Sequence, residues 1–288
     1  MHPVFNNSLF QKNFDDKGYV LFPALLNQEE VNLLLKLFAD FRNQCSEAFH
    51  STHFSKDVLY KKRVHDTIAE LVAPKAAVYL NRYEPLFGNF MVKNPDPENF
   101  MPLHADWTYV DESEFHSAAI WIPLVDASEE NGCFGVVEGS HKITNIIRGP
   151  GIYQSSSLER DKIWEKRYGK LIPMKAGDAI IYNHSLLHYS PANKTRETRP
   201  ALNLTMVPKA AGYIHYCKPE GATEIEMYKV MESDFYIAYD NFQRPQTGVP
   251  VKTLSSDVVK YINLKMDWFW LGNFINKIRR RFQITLYT

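Results

Sequence analysis

The sequence predicts a mainly β protein, an antiparallel barrel or jelly roll with helices buttressing it from the N-terminal side. Three observations lead there. Helical periodicity is concentrated in the first seventy or so residues, short runs of β-branched and aromatic residues punctuated by turn signals follow from Ala76 onward, and no strand–helix alternation of the βαβ kind connects them.

Taken in order, residues 5–17 read as a short helix closed by Gly18, a residue suited to the left-handed conformation that ends helices. Tyr19 to Phe22 reads as a strand stopped by Pro23. Asn27 and Glu30 form a capping box for a helix that places Val31, Leu34, Leu35, Phe38 and Phe41 on one face. Residues 42–60, with His50 and His53 among serines and threonines, read as a surface loop. A helix over Lys61 to Leu71 ends before Pro74. Strands are expected over 78–83, 87–93, 118–124, 134–137, 179–182 and 201–208, with turns at Glu84-Pro85, Asn94-Pro95-Asp96-Pro97 and Asn131-Gly132. Residues 142–176 read as a long insertion between strands. With no repeat and no low-complexity linker, the simplest organisation is a single domain over 1–288: a helical buttress at 5–73, a core at about 76–217 and a C-terminal extension at 218–288.

Composition narrows the function. Lys plus Arg and Asp plus Glu number 33 each, so bulk charge draws the chain to neither nucleic acid nor anionic membrane. Cys45, Cys133 and Cys217 lack metal-type spacing and are odd in number, which points to structural thiols in a reducing compartment. No stretch reaches the roughly 18 apolar residues of a membrane span, nor does the start resemble a secretory leader. A cytoplasmic protein is the expectation.

The chemistry is carried by two stretches. His104-Ala105-Asp106 places an imidazole and a carboxylate two residues apart, which on an extended segment face one side. With 10 His and 15 Asp in 288 residues, chance alone supplies about half of one such pattern, so the surroundings must decide. One more histidine would complete a two-histidine, one-carboxylate set that leaves three positions of an octahedral Fe(II) open. His184 and His188 both follow the apolar run Ala179 to Tyr182, and on a continuous strand they would face one side. His188 is the better third ligand because Ser190 and Arg199 follow it at +2 and +11, with Arg196 a competing cation. His184 fits a buried hydrogen-bonded role and His141 a cap for its own turn.

These pieces together resemble the phytanoyl-CoA dioxygenase family. The distal run His188-Tyr-Ser-Pro-Ala-Asn193-Lys-Thr195 with Arg199 is similar to its signature, as are Gly18-Tyr19-Val20 with Pro23 and Leu26, Leu103-His104-x-Asp106, Trp121-Ile-Pro-Leu-x-Asp126, Glu130-Asn131-Gly132-Cys133 and Val137-Glu138-Gly139-Ser140-His141. Glu138 stands where that last turn usually has Pro. The resemblance, over about 10–208, implies a double-stranded β-helix of the cupin-like kind that binds Fe(II) through His104, Asp106 and His188 and uses 2-oxoglutarate and O2. It implies Arg199, with Ser190, as the clamp on the far carboxylate of 2-oxoglutarate, for which a planar guanidinium suits better than an ammonium; Trp121 matches a position near that cosubstrate.

What the resemblance implies in function is hydroxylation of an unactivated C–H bond with release of succinate and CO2. The substrate could be a small molecule, amino acid, peptide or carrier-bound intermediate. Asp106 argues against the halogenating variant, which has a small residue there. Desaturation or cyclisation by the same chemistry is an alternative, and a non-catalytic metal-binding jelly-roll module another. Trp107, Tyr109, Asn89, Arg148, Tyr153 and Asn203 are candidate substrate contacts, and residues 142–176 and 211–250 candidate covers for the pocket. At the end of the chain, 261–282 carries Trp268, Phe269, Trp270, Phe274 and Ile278 before Arg279-Arg280-Arg281, a basic amphipathic helix that can lie on a membrane or partner and is expected to pack on its own domain or a dimer mate.

Overall fold

A computed structural model of the chain describes residues 2–42, 45, 47–143, 147–152, 158–232, 234–240, 244–245 and 250–255. The expected C-terminal helix at 261–282 lies outside the described residues, as do Tyr153, Thr144 and Asn145.

Helix α1, Ser8–Lys17, starts where the Asn7 side chain accepts bonds from the Leu9 and Phe10 amides and ends at Gly18, whose φ of 90° lets its N–H reach Phe14 O. Strand β1, Tyr19–Phe22, leads to helix α2, Gln28–Asp40, opened by the reciprocal Asn27 and Glu30 bonds of a capping box. Helix α2 buries Val31, Leu34, Leu37 and Phe38. Helix α3, Val58–Ala76, runs through Pro74 instead of stopping before it. Proline removes one amide donor near the C-terminal end, while Val72 and Ala76 remain fully buried and keep the last turn attached to the core.

Two antiparallel sheets form the core. The larger has the order β1, β8 (Ala179–Asn183), β5 (Ala118–Pro123), β10 (Arg199–Pro208), β3 (Tyr83–Lys93) and β2 (Phe49–Ser51). The smaller has the order β4 (Met101–His104), β9 (His188–Ser190), β6 (Phe134–Val137) and β7 (Gly169–Ile172). Trp121, Ile180 and Ala201 of the larger sheet share a cluster with Phe134, Val136 and Ile172 of the smaller, as a jelly roll requires. On the other face of the larger sheet, Phe90, Val92, Ile120, Leu202 and Leu204 pack with Leu34, Val64 and Ile68 of the helices. The expected β architecture with a helical buttress is thus present.

Several local expectations give way. Residues 49–54 are not a surface loop: His50 and His53 are buried in β2 and the 3-10 turn Thr52–Phe54. The hydroxyls that suggested solvent point inward, Ser51 Oγ accepting from Asn89 and Thr52 Oγ1 from the Phe90 amide. No strand spans 78–83, where the chain reverses through Arg82 at φ 59° and only Leu80 makes an isolated bridge. Glu84-Pro85 is no turn but part of β3, tolerated because β2 pairs only with 91–93 and the β10 register shifts beside Met206. The 142–176 insertion contains α4 (Leu158–Tyr168) and β7, and Trp164 of α4 packs with Leu103 and Ala105. Its neighbour Glu138 accepts from Tyr19 at 2.6 Å and pairs with Lys170 at 2.9 Å, joining β1 to β7. Beyond 211, β11 (Tyr213–Cys217), β12 (Glu224–Val230) and β13 (Lys252–Ser255) make a third sheet, followed in space by the short helix α5, Phe235–Ala238. All three cysteines are buried and free.

Gly18 joins α1 to β1 at the point where a Cβ would stand 2.6 Å from both the His141 ring and Leu186. Gly18→Ala is expected to lower unfolding stability by about 1–3 kcal/mol through left-handed strain and this contact. Urea denaturation checks it: an unchanged midpoint would mean the turn relaxes freely.

Candidate metal centre and cosubstrate cleft

Cross-strand pairing brings the first two groups together. His104 on β4 lies directly opposite His188 on β9, and their ring centroids are 4.2 Å apart. Each ring is held from behind, His104 Nδ1 by Pro102 O at 2.8 Å and His188 Nδ1 by Leu186 O at 2.9 Å. A carbonyl can only accept, so each Nδ1 carries the proton and each Nε2 keeps its lone pair. Asp106 follows β4 in coil rather than on the strand. Its Oδ2 accepts from Tyr182 at 2.8 Å and its Oδ1 lies 3.7 Å from His188 Nε2. The three residues offer ligand atoms all within 4.8 Å of one another, the one such cluster among the described residues.

Burial would push the Asp106 carboxyl up, but the imidazoles of His188, His184 and His104 and the Tyr182 hydroxyl outweigh it and hold it below the usual range. Burial pushes His188 down to about 4, with His104 adding to the effect, so it stays a neutral donor at physiological pH. His184 is not on a continuous strand with His188. It occupies the turn after β8, fully buried, with Nδ1 2.8 Å from Ser117 Oγ and its ring against Tyr109. His141 reaches beyond its own turn to Asp15 O at 3.0 Å, tethering α1.

A cleft runs from His104 and His188 past Phe134, Trp121 and Ser190 to Arg199 and Lys93. Arg199 and Lys93 are opposite partners on β10 and β3, which places two cations at its end. The Arg199 guanidinium lies 5.4 Å from the Trp121 ring centre and donates to Met91 O at 3.3 Å. Its Nε is buried without a partner, and no acid pairs with it among the described residues. Burial pushes Arg199 down to about 10 and, with Arg199 beside it, Lys93 to about 7. Lys93 Nζ is held by Ser190 O at 2.9 Å and by Pro191 O. Ser190 Oγ donates to Gly132 O at 2.9 Å, so its hydroxyl is already engaged within the protein. Arg196 is exposed and lines neither this cleft nor the cavity beside it.

On the other side of His104 and Asp106 opens a cavity of about 240 Å³. Asn89, Trp107, Tyr109 and Asn203 line it, as expected from their positions. Arg148 does not. It is fully buried, its Nε bonded to Asp106 O at 2.5 Å, its amide to Thr108 Oγ1 and its guanidinium to Glu112. A paired guanidinium cannot also meet substrate; its work is to clamp the 106–112 loop. Sequence reasoning missed Ser51, His53, Met91 and Thr205 in the cavity, Lys93 in the cleft and Tyr182 behind Asp106. Strand alternation around Asn203 carried a signal for Thr205; the others depend on pairings visible only in the fold. Of the two candidate covers, the 211–250 segment supplies Tyr236 and Tyr239, stacked against Phe87 and His53 in the wall.

The sequence profile of the phytanoyl-CoA dioxygenases matches residues 36–201, more than half of the chain. The chain belongs to the phytanoyl-CoA dioxygenase family. A Dictyostelium discoideum relative, a phytanoyl-CoA dioxygenase domain-containing protein 1 homolog, is 27 % identical over 180 residues, 60 % of this chain and 62 % of that protein. Two solved structures share the fold at 18 % identity. One is the non-haem α-ketoglutarate-dependent carbocyclase SnoK, with a TM-score of 0.55 over 74 % of this chain and 90 % of that one. The other is the epimerase SnoN in complex with Fe3+, α-ketoglutarate and nogalamycin RO, with a TM-score of 0.53 over 86 % and 93 %.

Iron and 2-oxoglutarate are the cofactors of this dioxygenase family, and the residues present fit both. Two imidazoles with free Nε2 atoms and one carboxylate with a free oxygen are a donor set for Fe(II) with open positions. The orphaned guanidinium of Arg199, reached through the cleft from those donors, suits the far carboxylate of 2-oxoglutarate. A buried cation without an acid costs stability until its anion arrives. Arg199→Met should therefore raise the stability of the ligand-free protein by about 1–3 kcal/mol while removing 2-oxoglutarate binding. Denaturant titration and calorimetry with 2-oxoglutarate check the pair; loss of stability with binding retained would remove Arg199 from the clamp.

Proposed function

We propose that this chain is an Fe(II)- and 2-oxoglutarate-dependent oxygenase that hydroxylates an unactivated C–H bond of a small molecule. The observation that supports it best is that the His104, Asp106 and His188 donors stand where the Arg199 cleft and the Asn89–Asn203 cavity meet, the two sharing Met91, Met101 and His104 in their walls. His104, Asp106 and His188 would hold the metal, and Arg199, with Lys93 and Trp121 beside it, the cosubstrate. Bound together, Fe(II) and 2-oxoglutarate supply the oxidant for C–H cleavage, with O2 consumed and succinate and CO2 released.

What the protein adds is placement and exclusion of water. Carbonyls behind both histidines fix their tautomers, Tyr182 holds one carboxylate oxygen of Asp106 so that the other faces the donors, and the aromatic wall around Trp107 and Tyr109 keeps the target carbon dry. None of these groups decides whether oxygen returns to the carbon. The names of SnoK and SnoN, a carbocyclase and an epimerase, favour cyclisation or another oxygen-free outcome as the second reading. Gain of one oxygen atom by the product, against loss of two hydrogens or none, separates the readings by mass spectrometry.

His104→Ala, Asp106→Ala and His188→Ala should each reduce iron-dependent succinate formation by more than about 100-fold while the chain stays folded, and His184→Gln should retain iron. Metal content and succinate release measure both. Loss of iron in His184→Gln, with retention in His188→Ala, would overturn the distal assignment.

A further inference from the structure

The cavity beside the metal donors has a floor that folding leaves unfinished. Asn89, Asn203, Thr205 and His53 line it, each more than nine-tenths buried, and Asn89 Oδ1, Asn203 Oδ1, Thr205 Oγ1 and His53 Nε2 have no hydrogen-bond partner among the described residues. They are neighbours by construction. Asn203 on β10 is paired with Asn89 on β3, Thr205 follows Asn203 by two residues on the same face, and His53 stacks on Phe87, the partner of Thr205.

The polarity of the floor can be read atom by atom. Asn89 Nδ2 donates to Ser51 Oγ at 2.9 Å, which leaves its oxygen as the unpaired acceptor. Burial, with Lys61 behind it, pushes His53 down to about 3, so its ring is neutral. Two amide oxygens therefore lack donors, while the hydroxyl and the neutral imidazole can each donate or accept. Charge is sparse: the side chains lining the cavity include one carboxylate, Asp106, whose charge belongs with the metal, and no Lys or Arg. The cations of the neighbouring cleft, Lys93 and Arg199, stand beyond Met91 at the other end of the same strand pair.

We propose that the cavity takes a neutral, ring-bearing small molecule presenting at least two O–H or N–H donors to the Asn89, Asn203, Thr205 and His53 floor, with its ring against the aromatic wall and its target carbon toward His104 and Asp106. The proposal rests on the functional reading above and narrows its substrate class. A fatty acyl chain on this floor would leave all four atoms unpaired and out of water. A free amino acid or other carboxylate would meet no cation in the cavity. At about 240 Å³ the space is below the roughly 300–1,000 Å³ of sites for whole drug-sized ligands, so one ring with its substituents is enclosed and the remainder stands at the mouth.

Calorimetry on the metal-free full-length chain tests this with matched probes. The neutral members are phenyl β-D-glucopyranoside and 4-hydroxybenzyl alcohol; the anionic matches are phenyl β-D-glucuronide and 4-hydroxybenzoate; the donor-free matches are the O-methylated forms of the neutral pair. At least one neutral probe should bind about tenfold or more tightly than both of its matches. Thr205→Val and Asn203→Leu should weaken that probe about fivefold or more without lowering the melting temperature of the free protein, because each removes a polar atom that nothing in the free protein satisfies. The melting scan shows which variants are folded, and Thr205→Val, the smaller change, carries the test if Asn203→Leu unfolds. An anionic or donor-free probe that binds as tightly, no neutral probe binding at millimolar concentration, or unchanged binding in folded Thr205→Val overturns the proposal. Succinate is not part of the readout, so absent iron chemistry would count against the functional reading alone.

Discussion

Strand β10 is buried along its whole length, and its two faces make opposite demands. Leu202 and Leu204 join the helices in an ordinary apolar core, where each leucine contributes about 1.5–3 kcal/mol by leaving water. Arg199, Asn203 and Thr205 look the other way and keep polar atoms that none of the described residues satisfies, at about 1–3 kcal/mol each. The helical buttress therefore does more than close the sheet. Its apolar contacts offset the cost of a second face that keeps unpaired polar atoms, from Arg199 at the end of the cleft to Asn203 and Thr205 in the wall of the cavity.

The metal donors depend on a different device. Placing His104 opposite His188 on paired strands makes their spacing a property of the sheet, and two backbone carbonyls then fix which nitrogen of each ring is free. Such a pair needs no metal to be assembled. It is prepared by folding, which is how a site with open coordination positions avoids spending the binding energy of its ion on rearrangement.

Much of this was legible in the chain because it is local. The capping box at Asn27 and Glu30, the Gly18 stop, the His104-x-Asp106 spacing and the distal run from His188 to Arg199 all lie within short windows and carry their chemistry with them. What was hidden depends on partners far away in sequence. Lys93 matters because β10 brings it opposite Arg199, and His53 because a stretch rich in hydroxyls turns inward to bond Asn89 and the Phe90 amide. Pro85 lies inside a strand because β2 does not reach it and the β10 register shifts beside its partner Met206. Composition reads polarity correctly in each case, but not which polar groups the fold will bury.

The two buried arginines show the same limit and its resolution. Both are almost wholly removed from water, and both were candidates for contact with a ligand. Arg148 is neutralised by Glu112 and donates from Nε to the backbone carbonyl of Asp106, so it anchors that residue without bringing net positive charge toward a site meant for a cation. Without Glu112 that guanidinium would oppose the metal it helps to position. Arg199 has no acid among the described residues, and Lys93, opposite it on β3 and pushed down to about 7 by burial and by Arg199, would hold its proton more firmly beside a dicarboxylate. A buried arginine with an acid beside it is part of the scaffold; one without an acid is, on the function proposed above, half of an ion pair whose other half arrives from solution.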